Sequence, residues 1–260
     1  MSRLTPVLME QVAETVKQTG RLLTDPCCLE RVEAKSPTDF VTNVDFSVQH
    51  RLEKALLQLT PWAQFWGEEG EKIPVDTAKP YWLLDPVDGT TNLIHSFRHS
   101  AISLGLVEEG RVTFGLVYQP YTHECFAAVR GKGAYCNGKR ICVSKAEKLS
   151  QSLLSAGTVP GRRDLADLAF RQMRRLYDCC QDVRRTGCAS LDLCWVACGR
   201  LEGFVELSLQ PWDYAAGMLL VEEAGGMVTG PEGKPLSLQA GGGVLASNGL
   251  LHRDLLEMLK

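Results

Sequence analysis

The chain has no apolar run approaching the roughly 20 residues that cross a bilayer as a helix, which argues against a helical membrane protein. It also lacks the basic-then-apolar opening of a signal peptide, so a cytoplasmic location is expected. Neither sign of charge dominates. With 28 basic and 31 acidic residues the formal charge is -3, and no basic stripe marks a nucleic-acid or membrane-surface protein. No segment is low-complexity, no internal repeat is visible, and no Pro/Gly/Ser-rich linker interrupts the chain. Ten cysteines are present, yet no C-x-x-C occurs: Cys27-Cys28 and Cys179-Cys180 are adjacent, and Cys194 and Cys198 lie four apart in an apolar stretch. Such spacing supports neither a zinc site nor a disulfide framework. Reduced thiols, mostly buried, are expected instead.

What remains is an ordinary globular composition, 45% hydrophobic and 23% charged over 260 residues, enough to bury a substantial core. Thr5-Pro6 reads as a helix cap followed by proline, and Leu8, Val12 and Val16 repeat along one face. A second amphipathic helix is expected from Val44 to Leu59, ended by Pro61, and both should lie against a sheet. From Phe65 to Ile141 the pattern is that of strands, with turns at Glu109-Gly110 and Asn137-Gly138. Helices near Asp164–Tyr177, Ala189–Cys198, Tyr214–Ala224 and Leu250–Leu259 then alternate with strands such as Gly203–Leu207 and Gly243–Ala246. A soft boundary falls near residue 148, dividing a sheet-rich α+β half (1–148) from an α/β half (149–260).

The chemistry concentrates in Trp82-Leu83-Leu84-Asp85-Pro86-Val87-Asp88-Gly89-Thr90-Thr91-Asn92, an apolar strand running into two carboxylates, a glycine and two hydroxyls. A tight turn would bring the two aspartates together, and oxygen ligands at that density suit Mg²⁺. Gly89-Thr90-Thr91 can open a helix whose free amides bind an anionic oxygen. Ordinary turn and cap residues also explain D-P and D-G dipeptides. Read singly, Glu68-Glu69 is more often a solvated loop pair, and Asp213 more often a helix N-cap.

Taken together, three segments resemble the signatures of the inositol monophosphatase family: Gly67-Glu68-Glu69, Asp85 to Asn92, and Pro211-Trp212-Asp213-Tyr214-Ala215-Ala216-Gly217. The resemblance runs over essentially the whole chain. Asp39 to Asp45 and Arg184 to Leu193 are similar to its bacterial inositol-1-monophosphatase branch. The resemblance implies the layered α-β-α-β-α sandwich of the sugar-phosphatase (inositol monophosphatase/fructose bisphosphatase) superfamily, an α+β fold. It places most metal ligands in the first half, and Asp213 with the substrate-side residues in the second.

Residue by residue, it implies one Mg²⁺ on Glu68, Asp85 and the Val87 carbonyl, a second on Asp85, Asp88 and Asp213, and a weaker third near Glu68. Glu68 and Thr90 would orient and deprotonate water, with Asp45 supporting the Thr90 hydroxyl. Gly89 and Thr90 would bind phosphate through their amides. Gly187, Cys188, Ala189 and Glu206, with Asp88 and Asp213, would meet the substrate. The activity implied is hydrolysis of a small phosphate monoester, myo-inositol monophosphate foremost, without a phosphoenzyme. 3′-Phosphoadenosine 5′-phosphate and fructose 1,6-bisphosphate are the alternatives. A homodimer and inhibition by lithium also follow from the resemblance.

Some bacterial relatives bind the transcription machinery or RNA, to which Arg184-Arg185 would be suited, though the charge balance argues against direct RNA binding. Cys188 stands where the family often has serine or threonine, but no Cys-x5-Arg loop follows it to make a nucleophile. His95 and His99 read as surface or capping residues. Without the resemblance, Glu206 would read as a strand-end carboxylate facing water. Gly70 departs from a serine frequent in the family, and the loop from Gly161 to Asp164 carries no assignable feature.

Overall fold

The computed structural model describes residues 3–70 and 75–260. Its helices are α1 (Pro6–Thr19), α2 (Arg21–Thr24), α3 (Asn43–Leu59), α4 (Thr90–Ile94), α5 (Ala166–Cys179), α6 (Ala189–Ala197), α7 (Pro211–Glu223) and α8 (His252–Met258). Strands β1 (Val32–Ser36) and β2 (Asp39–Thr42) form a separate antiparallel hairpin. A seven-stranded sheet runs in chain order through β3 (Gln64–Gly67), β4 (Tyr81–Asp88), β5 (Ala101–Glu108), β6 (Arg111–Gln119), β7 (Glu124–Val129), β8 (Gly133–Cys136) and β9 (Lys139–Ile141). It is antiparallel except for the β3–β4 pair. A five-stranded mixed sheet comprises β10 (Leu153–Ala156), β11 (Asp182–Arg184), β12 (Gly203–Leu209), β13 (Met227–Thr229) and β14 (Gly242–Ser247), in the order β11-β10-β12-β14-β13.

Five layers result. Helices α1 and α3 cover one face of the large sheet, α6 and α7 lie between the two sheets, and α5 and α8 close the outer face of the small one. Alternation along β4 shows why both faces of the large sheet must be covered. Trp82 and Leu84 point into the core under α1 and α3, whereas Tyr81 and Leu83 point into the core shared with α6 and α7. Each side chain is at most 2% exposed. Burying such a residue contributes about 1.5–3 kcal/mol, so β4 is held from two sides. Helix α7 can lie flat because Gly115 has no Cβ; one there would sit 2.8 Å from the Ala216 carbonyl. The central core therefore draws on both sides of residue 148.

The amphipathic helices form as expected, with Thr5 and Thr42 as N-caps. The two hairpin turns have positive φ at both central residues, 52° and 72° at Glu109-Gly110 and 48° and 76° at Asn137-Gly138. The Asp85-Pro86-Val87-Asp88 segment is not the tight turn expected. It continues β4, pairing Asp85 with Ser103 and Asp88 with Ala101, so one extra residue bulges between the two aspartates. Pro86 explains the bulge, since it has no N–H to give the ladder. Among the described residues, no helix is long and apolar enough to cross a membrane.

Candidate active site

Glu68 follows β3, and its amide donates to the Leu84 carbonyl at 3.0 Å, so the parallel strand pairing fixes where its side chain emerges. Asp85 is 3% exposed, and its Oδ1 accepts from the Val87 amide at 2.9 Å. Asp213 is the third residue of α7 rather than its N-cap; its Oδ2 accepts from the Gln210 amide at 2.7 Å in a capping box. Carboxyl oxygens of these three residues all lie within 4.8 Å of one another. Burial, followed by repulsion from Glu68, Asp88 and Asp213, pushes the Asp85 carboxyl well above its ordinary range. Burial and the charges of Glu68 and Asp88 do the same for Asp213. A cation is the group that relieves such crowding. Lys35 of β1 reaches its edge, with Nζ 3.1 Å from Glu68 Oε1 and 2.5 Å from Glu69 Oε1. The donor set is entirely carboxylate, and the described cavity lining has no histidine or cysteine, which suits a hard divalent ion such as Mg²⁺.

Asp88 lines the same cavity of about 330 Å³ but stands outside that trio. Its Oδ2 accepts from the Ser190 amide at 2.6 Å and the Cys188 thiol at 3.1 Å, and its Oδ1 from the Ala189 amide at 3.2 Å. The unpaired amides at the start of α6 draw this carboxylate in. Oδ1, with a single donor, keeps a lone pair for another partner.

Asp45 is the acidic member of the α3 capping box: its Oδ2 accepts from the Thr42 amide at 2.8 Å and the Thr42 hydroxyl at 2.5 Å. Its Oδ1 lies 3.2 Å from the Thr90 hydroxyl, which also lies 2.9 Å from the Val87 carbonyl. Burial raises the Asp45 carboxyl, against the bonds from Thr42 and Thr90. Gly89 turns the chain from β4 into α4 at φ 88°, and a Cβ there would lie 3.0 Å from His99 O and 3.2 Å from Gly187 O. Only glycine meets both requirements without strain. Asn92 then ties the halves together, donating to His99 O at 2.8 Å and Thr186 O at 2.9 Å.

Gly187, Ala189 and Glu206 line the cavity on the C-terminal side. Glu206 does not face open water: its Oε1 accepts from the Val159 amide at 3.3 Å, and burial pushes its carboxyl to about 7. Cys188, expected in the wall, is 1% exposed and sits behind Asp88. Burial and that carboxylate hold its thiol protonated, which removes it as a nucleophile. His95 is exposed at the C-cap of α4, whereas His99, expected at the surface, is buried against Trp195 with ring centroids 5.0 Å apart. Glu69 is not solvated; it is 6% exposed, and burial pushes its carboxyl to about 7.

Residues that sequence reasoning did not place at the site also line the cavity: Thr38, Phe40, Val159, Pro160, Arg162 and Arg185. Thr38 donates to Pro160 O at 2.6 Å, joining the β1–β2 hairpin to the residue just before the Gly161 to Asp164 loop that sequence left unassigned. No periodicity marks such contacts, which depend on residues 122 positions apart.

A profile described as the Inositol monophosphatase family matches residues 4–260. An inositol-1-monophosphatase of Rhizobium meliloti (strain 1021) is 35% identical over 259 residues, spanning 100% of this chain and 97% of that protein. The Nus factor SuhB of Escherichia coli (strain K12) is 40% identical over 202 residues, 77% of this chain and 76% of that one. Among solved structures, the extragenic suppressor protein suhB of Bartonella henselae has a TM-score of 0.90 at 33% identity, covering 98% of both chains. An IMPase/NADP phosphatase complexed with Mg²⁺ and phosphate has a TM-score of 0.86 at 25% identity, covering 97% of this chain and 94% of that one. With the carboxylate trio and the glycine-led turn in one cleft of this fold, and a profile match over residues 4–260, the chain belongs to the inositol monophosphatase family.

Proposed function

We propose that the chain hydrolyses a small phosphate monoester, myo-inositol monophosphate foremost, with Mg²⁺ as cofactor and without a covalent phosphoenzyme. The convergence of Glu68, Asp85 and Asp213 beside the Asp45–Thr90 pair carries this reading. Glu68, Asp85 and Val87 O would hold one ion, Asp85, Asp88 and Asp213 a second, and Glu68 a weaker third. Bound there, Mg²⁺ would supply Lewis acidity at the phosphoryl oxygens and lower the pKa of water. The amides of Gly89 and Thr90 hold the phosphate. Thr90, anchored on Asp45, orients the attacking water with Glu68, and the Glu68 carboxylate takes its proton. The water oxygen then bonds to phosphorus as the ester P–O bond breaks, and the leaving alkoxide takes a proton from solvent water to give the alcohol, while Glu68 returns its own proton to solvent. Glu206 accepts a hydroxyl of that alcohol, with Gly187, Ala189, Asp88 and Asp213 around it.

A cytoplasmic location, a homodimer and sensitivity to lithium belong to the same reading through family membership. A second reading, binding to the transcription machinery, draws support from the similarity to Nus factor SuhB. Against a shared basic patch, Arg184 is paired with Asp182 while Arg185 turns toward Thr158.

The test is phosphate release from inositol 1-phosphate, 3′-phosphoadenosine 5′-phosphate and fructose 1,6-bisphosphate, with Mg²⁺ and with chelator. Magnesium-dependent turnover that Asp85→Asn abolishes is expected. Absence of turnover on all three substrates would overturn the hydrolase reading.

A further inference from the structure

Among the described non-glycine residues with positive φ, Val159 is the one that is both β-branched and followed by proline. Its φ of 47° lies in the left-handed region, where a branched side chain crowds its own backbone and the ring of Pro160 adds a further restriction. Such a conformation persists only where the surroundings over-determine it. Here they do. The Val159 side chain is 5% exposed, and the Arg162 amide donates to Val159 O at 2.9 Å. On either side, the Thr38 hydroxyl donates to Pro160 O at 2.6 Å and Arg185 Nε to the Thr158 hydroxyl at 3.0 Å. The Gly157 amide donates to Val205 O at 2.8 Å, which lays the start of the loop along β12. The loop is thus tied to the β1–β2 hairpin, to β12 and to the residue that follows β11.

What the strained backbone holds is Glu206. The Val159 amide donates to Glu206 Oε1 at 3.3 Å, the one hydrogen bond made to that carboxylate among the described residues. Gly157 leaves room for the same group, which a Cβ there would overlap. A negative φ at Val159 would reorient the peptide carrying this N–H, so the left-handed conformation and the bond go together. With Oε1 engaged, Oε2 keeps its lone pairs for another donor. Resting on the proposed hydrolase activity, we infer that Val159 is a positioning residue: its left-handed backbone aims the amide that fixes Glu206, so that Oε2 is presented to a hydroxyl of the leaving alcohol.

The experiment measures Mg²⁺-dependent phosphate release by wild type, Val159→Gly, Val159→Pro, Glu206→Ala and the Val159→Pro/Glu206→Ala double variant. Its substrates are inositol 1-phosphate and phenyl phosphate, whose alcohol carries no further hydroxyl. Proline can neither take positive φ nor donate. Val159→Pro is therefore expected to raise KM for inositol 1-phosphate at least about tenfold with kcat within about threefold, and to change phenyl phosphate by less than about threefold. Val159→Gly takes φ 47° without strain and keeps the N–H, so glycine in place of proline should rescue most of that loss. In the Glu206→Ala background, Val159→Pro should cost less than about threefold more, because its target is already gone. Equal losses on both substrates, or losses that multiply in the double variant, would overturn the inference. Hydrogen exchange at the Val159 amide, read by NMR, needs no turnover: Glu206→Ala should speed it at least about tenfold, and a change within about threefold overturns the inference. If no substrate releases phosphate, the hydrolase reading fails alone, and exchange still decides whether Val159 holds Glu206.

Discussion

Replacing Asp45 with asparagine separates what this buried carboxylate does for the fold from what it does for the reaction. Its Oδ2 receives two bonds from Thr42, at 2.8 Å from the amide and 2.5 Å from the hydroxyl, and closes the capping box of α3. Asparagine can present its amide oxygen to the same two donors. On the other side, Oδ1 faces the Thr90 hydroxyl at 3.2 Å, and the amide nitrogen would take its place. The Thr90 oxygen can accept from that nitrogen while its hydrogen turns to Val87 O at 2.9 Å, so no buried polar group is orphaned. Stability should change by no more than about 1 kcal/mol, a shift of roughly 2–4 °C in Tm for a chain of this size. The reaction loses more. Thr90 no longer faces a negative acceptor, and the contribution of positioned proton transfer, typically 10²–10⁴-fold, should be lost largely from kcat with KM within about threefold. The assay is steady-state phosphate release with Mg²⁺ beside a thermal melt in chelator. Asp45→Ala should add loss of the cap, about 0.5–2 kcal/mol, to the same kinetic defect. A kcat within about threefold of wild type in Asp45→Asn would show that Asp45 is a helix cap and nothing more.

Gly89→Ala forces a side chain into φ 88° with a carbonyl oxygen 3.0 Å from its Cβ, so about 1–2 kcal/mol of backbone strain is expected, with a raised KM for the phosphate ester. A variant that melts and turns over like wild type would refute the requirement for glycine. Asp192 tests pH dependence: it is 3% exposed, Thr186 donates to its Oδ2 at 2.7 Å, and burial pushes its carboxyl to about 8. A folded pKa above the unfolded one means that the native state holds the proton. That stability, on the order of a few kcal/mol, is complete below about pH 4 and lost as pH rises toward 8. In chelator, Tm should therefore fall between pH 5 and pH 9, more steeply in wild type than in Asp192→Asn; parallel slopes would refute the assignment.

How much of this was legible varies with how local the cause is. The hairpin turns could be read because Glu109-Gly110 and Asn137-Gly138 announce positive φ in the sequence itself. Helices α1 and α3 could be read because cap and periodicity lie within each segment. Strand β1 could not: its residues run exposed with no alternation, and it is held by pairing with β2 and by Lys35 at the carboxylates. The candidate ligands were visible as short acidic motifs, whereas the burial of Glu69 was not, because it depends on Gln49 and Lys35. Cys188 and His99 were misplaced for the same reason. Their surroundings come from Asp88 and Trp195, far away in the chain.

The distribution of these contacts bears on why the site and the central core cannot be separated. Asp213 is carried by α7 and Asp88 is gripped by the start of α6, and both helices form the layer between the two sheets. Asn92 binds the turn after Asp88 to Thr186 of the second half, and Thr38 binds the hairpin to Pro160. Carboxylates that repel one another are held together only because these elements are packed on both sides. A cavity-forming substitution in the central layer, remote from any phosphate, would move Asp213 relative to Asp85. Misplacement of a reacting group by about 1 Å can cost about 10²-fold in rate. The acidic motifs supply the candidate ligands, and the shared core sets the distances between them.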